Sequence, residues 1–188
     1  MPDYRRYYTP GATVFLTIVT EQRRPLFADP TNVEHLRSAL RIVLQEWPFD
    51  IAAAVVLHDH MHFLWTLPAG DSAYSKRVGR MKAKFTSALE ATVASVSKSR
   101  VKHRESEVWQ RRFWEHTIRD DDDFKGHLDY VHYNPVKHGL ARCPHEWPYS
   151  SFNKWVRLGE YDGNWCCRCG DRTFKVPDFS KIQDIAGE

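Results

Sequence analysis

The chain has 188 residues, 42% of them hydrophobic and 13% aromatic, with a formal charge of +3, which is the size and composition of one ordinary globular domain with short additions. Its longest uninterrupted apolar run, Ile51 to Leu57, is far short of the roughly 20 residues a membrane helix requires, and no N-terminal stretch resembles a signal peptide, so the expected location is the cytoplasm. The four cysteines, Cys143, Cys166, Cys167 and Cys169, lack the paired CxxC steps of a good zinc site and are expected as free thiols.

Residues 12–20, Ala-Thr-Val-Phe-Leu-Thr-Ile-Val-Thr, are rich in β-branched and aromatic types and predict a strand. From Thr31 to about Glu46, Val33, Leu36, Leu40, Val43 and Leu44 recur at helical spacing, with Thr31 as the expected cap. Ile51–Leu57 and His60–Leu67 read as two apolar strands separated by His58 and Asp59 alone, which predicts an antiparallel hairpin. Val78, Met81, Phe85, Leu89 and Val93 mark a long helix whose other face is basic. Between Lys76 and Arg104 there are nine Lys or Arg against the single acid Glu90. With the further pairs Arg5-Arg6, Arg23-Arg24 and Arg111-Arg112, that one-sided charge suits a polyanion, most simply nucleic acid. Ser95 to Arg104 is polar and patternless and reads as a loop or frayed helix end. Val108–Ile118 reads as another strand, and Asp120 to Asp123 as the cap and favourable charge of a helix running to about His132 or Tyr133. The order β-α-β-β-α-β-α predicts an α+β domain over residues 1–152, a two-layer antiparallel sheet with helices packed on one face. Residues 153–188 read as an irregular tail.

The chemistry concentrates in His60-Met61-His62. Side chains alternate along a strand, so both imidazoles share one face while Met61 and Phe63 enter the core. Two imidazoles held on a rigid strand make half of a metal site. Downstream, Tyr130 and Asn134 are four residues apart and share a helix face if the helix persists. A tyrosine hydroxyl is a competent nucleophile towards phosphorus where a cation draws charge off the phosphate. The Asn134 amide oxygen completes a His-His-Asn donor set suited to Mg²⁺ or Mn²⁺. Asn134 also precedes a proline, and a capping role competes for the same oxygen.

These segments resemble the HUH superfamily. His60-Met61-His62 is similar to its His-hydrophobe-His signature. Trp109-Gln110-Arg111-Arg112-Phe113-Trp114-Glu115-His116-Thr117-Ile118-Arg119 and Tyr130-Val131-His132-Tyr133-Asn134-Pro135-Val136-Lys137-His138-Gly139-Leu140 resemble the single-tyrosine transposases, above all the REP-associated branch. Thr9-Pro10-Gly11-Ala12, Arg24-Pro25-Leu26-Phe27 and Trp147-Pro148-Tyr149-Ser150-Ser151 fit the same order over roughly residues 5 to 152. The resemblance implies a ferredoxin/RRM-like HUH fold and a catalytic Tyr130 attacking single-stranded hairpin DNA to leave a 5′-phosphotyrosine and a 3′-hydroxyl. His60, His62 and Asn134 would hold Mg²⁺ or Mn²⁺. Another strand's 3′-hydroxyl would then rejoin the DNA.

Arg5, Arg6, Lys76, Arg77, Arg80, Lys84, Arg111 and Arg112 are the expected phosphate contacts, and Tyr7, Tyr8 and Trp114 the expected base-stacking aromatics. His58 and His116 are accessory candidates. His58 with His60 makes a rival pair, set aside because Asp59 would then occupy the core-facing position that Met61 fits. The branch is expected to act as a monomer rather than a homodimer, associated with the nucleoid through DNA. Two other functions compete: a catalytically silent hairpin-DNA-binding protein on the same fold, and a metal phosphoesterase acting on small molecules or RNA, which has no use for so basic a helix.

Overall fold

A computed structural model describes residues 8–94, 108–169, 176–180 and 182. Four strands form one antiparallel sheet: β1 (Thr13–Val19), β2 (Asp50–Val56), β3 (His60–Thr66) and β4 (Trp114–Thr117), in the order β2-β3-β1-β4. The expected hairpin joins β2 to β3, and β3 and β1 are the two inner strands. Helices α1 (Pro30–Glu46), α2 (Tyr74–Ala94), α3 (Asp121–Lys137) and the short α4 (Phe152–Arg157) surround it. The α+β class and the antiparallel sheet are those expected from sequence.

Alternation along β1 and β3 sorts side chains to two faces. Val14, Leu16, Ile18, Met61, Phe63 and Trp65 meet α1 and α2 in one core through Val33, Leu36, Val43, Val78, Met81 and Phe85. This is the helical layer the sequence predicts. The opposite face is covered as well: Phe15, Leu64, Ala53 and Val55 pack against Leu128, Tyr130, Val131 and Val136 of α3. The C-terminal segment joins this second core through Phe152, Tyr161, Cys166, Phe179 and Ile182. Trp155 Nε1 donates to the Ala52 carbonyl at 2.9 Å, where the β2–β3 register slips between Ile51 and Ala53. A displaced carbonyl thereby finds a donor in the segment read from sequence as an irregular tail.

Element ends differ in instructive ways. The cap of α1 is Asp29, whose carboxylate accepts the Thr31 N–H at 2.8 Å, with Pro30 in the first helical position, where its missing N–H costs nothing. Strand β4 is shorter than the expected 108–118. Trp109 makes only an isolated bridge to Thr20, and its ring packs on Phe27 and Phe85. Asp120 caps α3 by accepting the Asp123 N–H at 2.8 Å, and the helix runs through Pro135 to Lys137, past the expected end. Gly139 then turns the chain at φ 68°, and the Leu140 N–H returns to the Pro135 carbonyl at 2.8 Å.

Candidate active site

The site lies between the inner strands and α3. His60 and His62 face α3, both buried, with ring centroids 5.1 Å apart. Because α3 continues past Asn134, Tyr130, Asn134 and His138 follow at four-residue intervals on one side of it. The outer two touch the imidazoles: Tyr130 lies 5.5 Å from His62 and His138 5.0 Å from His60, centroid to centroid. Asn134 is the middle member of that row. Its Nδ2 donates to the Tyr130 carbonyl at 3.2 Å, while its Oδ1 is wholly buried without a hydrogen-bond partner among the described residues. A buried amide oxygen left unsatisfied costs about 1–3 kcal/mol and so points to a ligand. It accepts no capping N–H among the described residues.

Each imidazole is held at its other nitrogen. Asp59 Oδ1 accepts from His60 Nδ1 at 2.6 Å, and a carboxylate of this kind only accepts, so Nδ1 carries a proton and Nε2 is left as the nitrogen for a ligand. Asp59 is itself tied to Arg23 at 3.2 Å. Burial alone would raise its carboxyl, but hydrogen bonding to and charge from His60 and Arg23 outweigh this and hold it down at about 2. His62 Nδ1 meets Thr17 Oγ1 at 2.9 Å, directly across the β1–β3 register. Lys137 Nζ donates to the Tyr130 hydroxyl at 3.0 Å. Two oriented imidazoles and an amide oxygen fit a divalent cation with coordination positions left for phosphate oxygens. Sequence reasoning alone does not single out Asp59, Thr17 or Lys137. Asp59 is legible afterwards as the acid preceding the pair, whereas Thr17 depends on strand register.

The accessory histidines lie elsewhere. His58 packs its ring on Trp147 at 5.6 Å. His116 Nε2 pairs with Asp123 at 2.8 Å and stacks on His127 at 4.7 Å, with Phe15 between His127 and His62. Burial would raise Asp123, but His116 and Arg119 prevail and hold it at about 2. His132 faces Ser151 Oγ and Tyr161 Oη, and burial, with help from Lys125, pushes it down to about 3, a neutral packing histidine.

The expected phosphate contacts divide. Arg77 is a correction: it is 3% exposed, bonded to the Trp47 and Pro48 carbonyls and paired with Asp71 at 2.6 Å, so its guanidinium is spent inside the protein. Arg80 is held by both oxygens of Glu46, and Lys76 lies over the Trp47 ring at 4.1 Å. Helix α2 packs on the sheet face away from His60 and His62, so neither these residues nor Lys84 line the site. Arg111 and Arg112 are exposed, and Arg111 borders a groove of about 400 Å³ with Lys82, Thr86 and Trp109. Tyr8 and Trp114 are 49% and 44% exposed. Arg5, Arg6 and Tyr7 lie outside the described residues, as does the stretch from Ser95 to Arg104. Among the described residues no helix is long and apolar enough to cross a membrane.

Comparison with known proteins gives concordant results. The family model for IS200-like transposases matches residues 10–134. A REP-associated tyrosine transposase of Escherichia coli K12 is 40% identical over 185 residues, 98% of this chain and 99% of the relative. A Haemophilus influenzae protein, assigned provisionally to the same group by its name, is 42% identical over 165 residues, 88% of this chain and 93% of its own length. A solved REP-associated tyrosine transposase bound to a REP hairpin superposes with a TM-score of 0.76 at 39% identity, covering 96% of each chain.

Proposed function

The chain belongs to the IS200-like transposase family, and from that premise we propose that it cleaves and rejoins single-stranded hairpin DNA of the REP type through Tyr130. The observation that carries the reading is the row Tyr130–Asn134–His138 laid against His60 and His62, with the Asn134 oxygen buried and unsatisfied beside the nucleophile.

Tyr130 Oη attacks the scissile phosphorus, forming a 5′-phosphotyrosine and releasing a 3′-hydroxyl. Lys137, donating to that oxygen, stabilises the phenolate as its proton passes to solvent, and the departing 3′-oxygen takes a proton from solvent. Mg²⁺ or Mn²⁺ bound by His60, His62 and Asn134 would polarise the phosphate and offset its charge. Asp59 and Thr17 orient the two imidazoles before attack. The phosphotyrosine conserves the bond energy, so a second 3′-hydroxyl rejoins DNA without an energy cofactor. All of these groups come from one chain, which supports action as a monomer.

The test is a covalent-adduct assay with labelled hairpin DNA and Mn²⁺ or Mg²⁺ on a denaturing gel. A shifted band that requires the metal, disappears with EDTA and is absent from Tyr130→Phe is the expected result. Tight hairpin binding with no adduct under either metal would sink the proposal in favour of a silent DNA-binding protein.

A further inference from the structure

Beyond the end of α3, Cys143 is shared by two groups of closely spaced ligand atoms, one with His145 and Cys167 and one with Glu146 and Cys169. Cys143 precedes the short 3-10 turn Pro144–Glu146, which carries His145. Cys167 and Cys169 arrive from the C-terminal segment. Cys143 is joined to Cys167 in a disulfide, against the expectation of four free thiols, and its Sγ lies 2.8 Å from Cys169 Sγ. A ring nitrogen of His145 lies within 4.8 Å of the sulfurs of Cys143 and Cys167. A disulfide accounts for two of these groups and does not require the third sulfur or the imidazole beside it.

A further observation points to a ligand site. His145 Nδ1 meets the Gly163 carbonyl at 2.9 Å. A carbonyl only accepts, so Nδ1 carries the proton and Nε2 the lone pair, the arrangement that orients metal-binding histidines. Cys166 holds φ at 51°, a left-handed conformation that a non-glycine residue keeps only where its surroundings impose it. That turn places Cys166 in the second core and its neighbour Cys167 against Cys143.

We propose that in the reduced chain Cys143, Cys167, Cys169 and His145 form a Cys₃His zinc site, separate from the His60–His62 centre. Reduction of the disulfide by a small-molecule thiol adds two electrons and two protons to the pair and oxidises two molecules of the reductant to their own disulfide. Binding then forms three Zn–S bonds and one Zn–N bond and releases the three thiol protons to water. Tetrahedral zinc with Zn–S near 2.3 Å holds its sulfurs roughly 3.8 Å apart, so the Cys143–Cys169 pair needs to open by only about 1 Å from its present 2.8 Å. Glu146 Oε2 accepts the backbone N–H groups of Arg142 and Cys143 at 2.9 and 3.2 Å, and its Oε1 accepts from Cys169 Sγ at 3.9 Å, so it braces the turn and the fourth position falls to His145. Thiolates select zinc over Mg²⁺ and Mn²⁺, so the two centres sort their metals.

The zinc would tie the turn after α3 to the C-terminal segment. There the Arg168 N–H donates to the Arg142 carbonyl at 2.8 Å and its guanidinium to Tyr133 Oη at 2.7 Å, and Phe179 packs on Tyr130 and Tyr133.

The test uses the full chain, reduced with excess thiol, loaded with Zn²⁺, desalted and measured for zinc by mass spectrometry, with Co²⁺ loaded in parallel. One zinc per chain and thiolate-to-cobalt charge-transfer bands with intense tetrahedral d–d bands are expected. Both signals should fall strongly in Cys169→Ser and His145→Ala, which alter half-buried and exposed side chains and leave the circular dichroism spectrum unchanged. Cys166→Ser should keep both, since that side chain packs in the second core with Phe152 and Tyr161. Reduced protein that retains no zinc and shows no sulfur-to-cobalt band overturns the proposal, as does binding that survives both Cys169→Ser and His145→Ala. A Cys143–Cys167 bond that resists the reductant overturns it too, leaving a structural disulfide.

Discussion

The two faces of the sheet are made by the same strands and do different work. Towards α1 and α2, β1 and β3 present Val14, Leu16, Ile18, Met61, Phe63 and Trp65, an apolar set that only packs. One residue out of step, towards α3, they present Thr17, His60 and His62 among Phe15 and Leu64, all buried. Burying polar groups is tolerable only with partners supplied, and here Thr17, Asp59 and α3 supply them. A period of two therefore separates stability from chemistry with no second domain. The widest test of that division is to cut one residue on each face. His62→Ala should abolish adduct formation while leaving a folded chain that still binds hairpin DNA. Met61→Ala should cost about 2–5 kcal/mol of stability yet keep adduct formation per folded molecule, read by denaturant melts beside the gel assay. Loss of adduct in folded Met61→Ala would show that the faces are not separable in this way.

A smaller effect should come from the support of the imidazoles. Asp59→Asn keeps the shape of the turn but removes the charge that orients His60, and loss of such a partner typically costs roughly 10- to 100-fold in metal affinity or activity. Metal titration of adduct formation reads this as a rightward shift that added Mn²⁺ restores. The same substitution has a pH signature. The Asp59 carboxyl falls from an ordinary 3.8 to about 2 on folding, so its contribution is present above about pH 4 and lost as pH falls through about 2. Asp59→Asn should flatten the acid limb of the stability curve in that window, and an unchanged acid limb would refute the assignment.

How much of the fold and site is legible in the sequence follows from the range of each interaction. The histidine pair and its orientation need only strand alternation. The Tyr130–Asn134 relation needs only that the helix persist, which it does through Pro135 to Lys137. The role of Asn134 is not legible, since a side-chain oxygen before a proline serves cap and ligand alike until its surroundings are known. Thr17 reaches His62 only through a strand pairing 45 residues apart. The helix α3 on the second sheet face and the convergence of Cys143 with Cys167 and Cys169 depend on where the C-terminal segment returns, which local patterns do not encode. Arg77 is different, because its burial is visible in the sequence: Tyr74, Val78 and Met81 stand three, one and four residues away, so Arg77 shares their apolar stripe.

That misplaced arginine supplies the finest test. Charge counts alone rank Arg77 and Arg111 equally as phosphate contacts, whereas burial separates them. Arg77→Ala removes the ion pair of Asp71 and the donors to the Trp47 and Pro48 carbonyls, at about 2 kcal/mol of stability. Hairpin affinity of the folded fraction, and its dependence on salt, should not change. Arg111→Ala should barely move stability, being exposed at the rim of the groove with Lys82 and Trp109. It should weaken hairpin binding and lower the slope of log affinity against log salt by about 0.7–0.9, the share of one phosphate no longer neutralised. Fluorescence anisotropy across a salt series measures both. A reduced slope in Arg77→Ala with none in Arg111→Ala would mean that DNA binding draws on the α1–α2 side by opening the Arg77–Asp71 pair, and the division of labour between the faces would have to be redrawn.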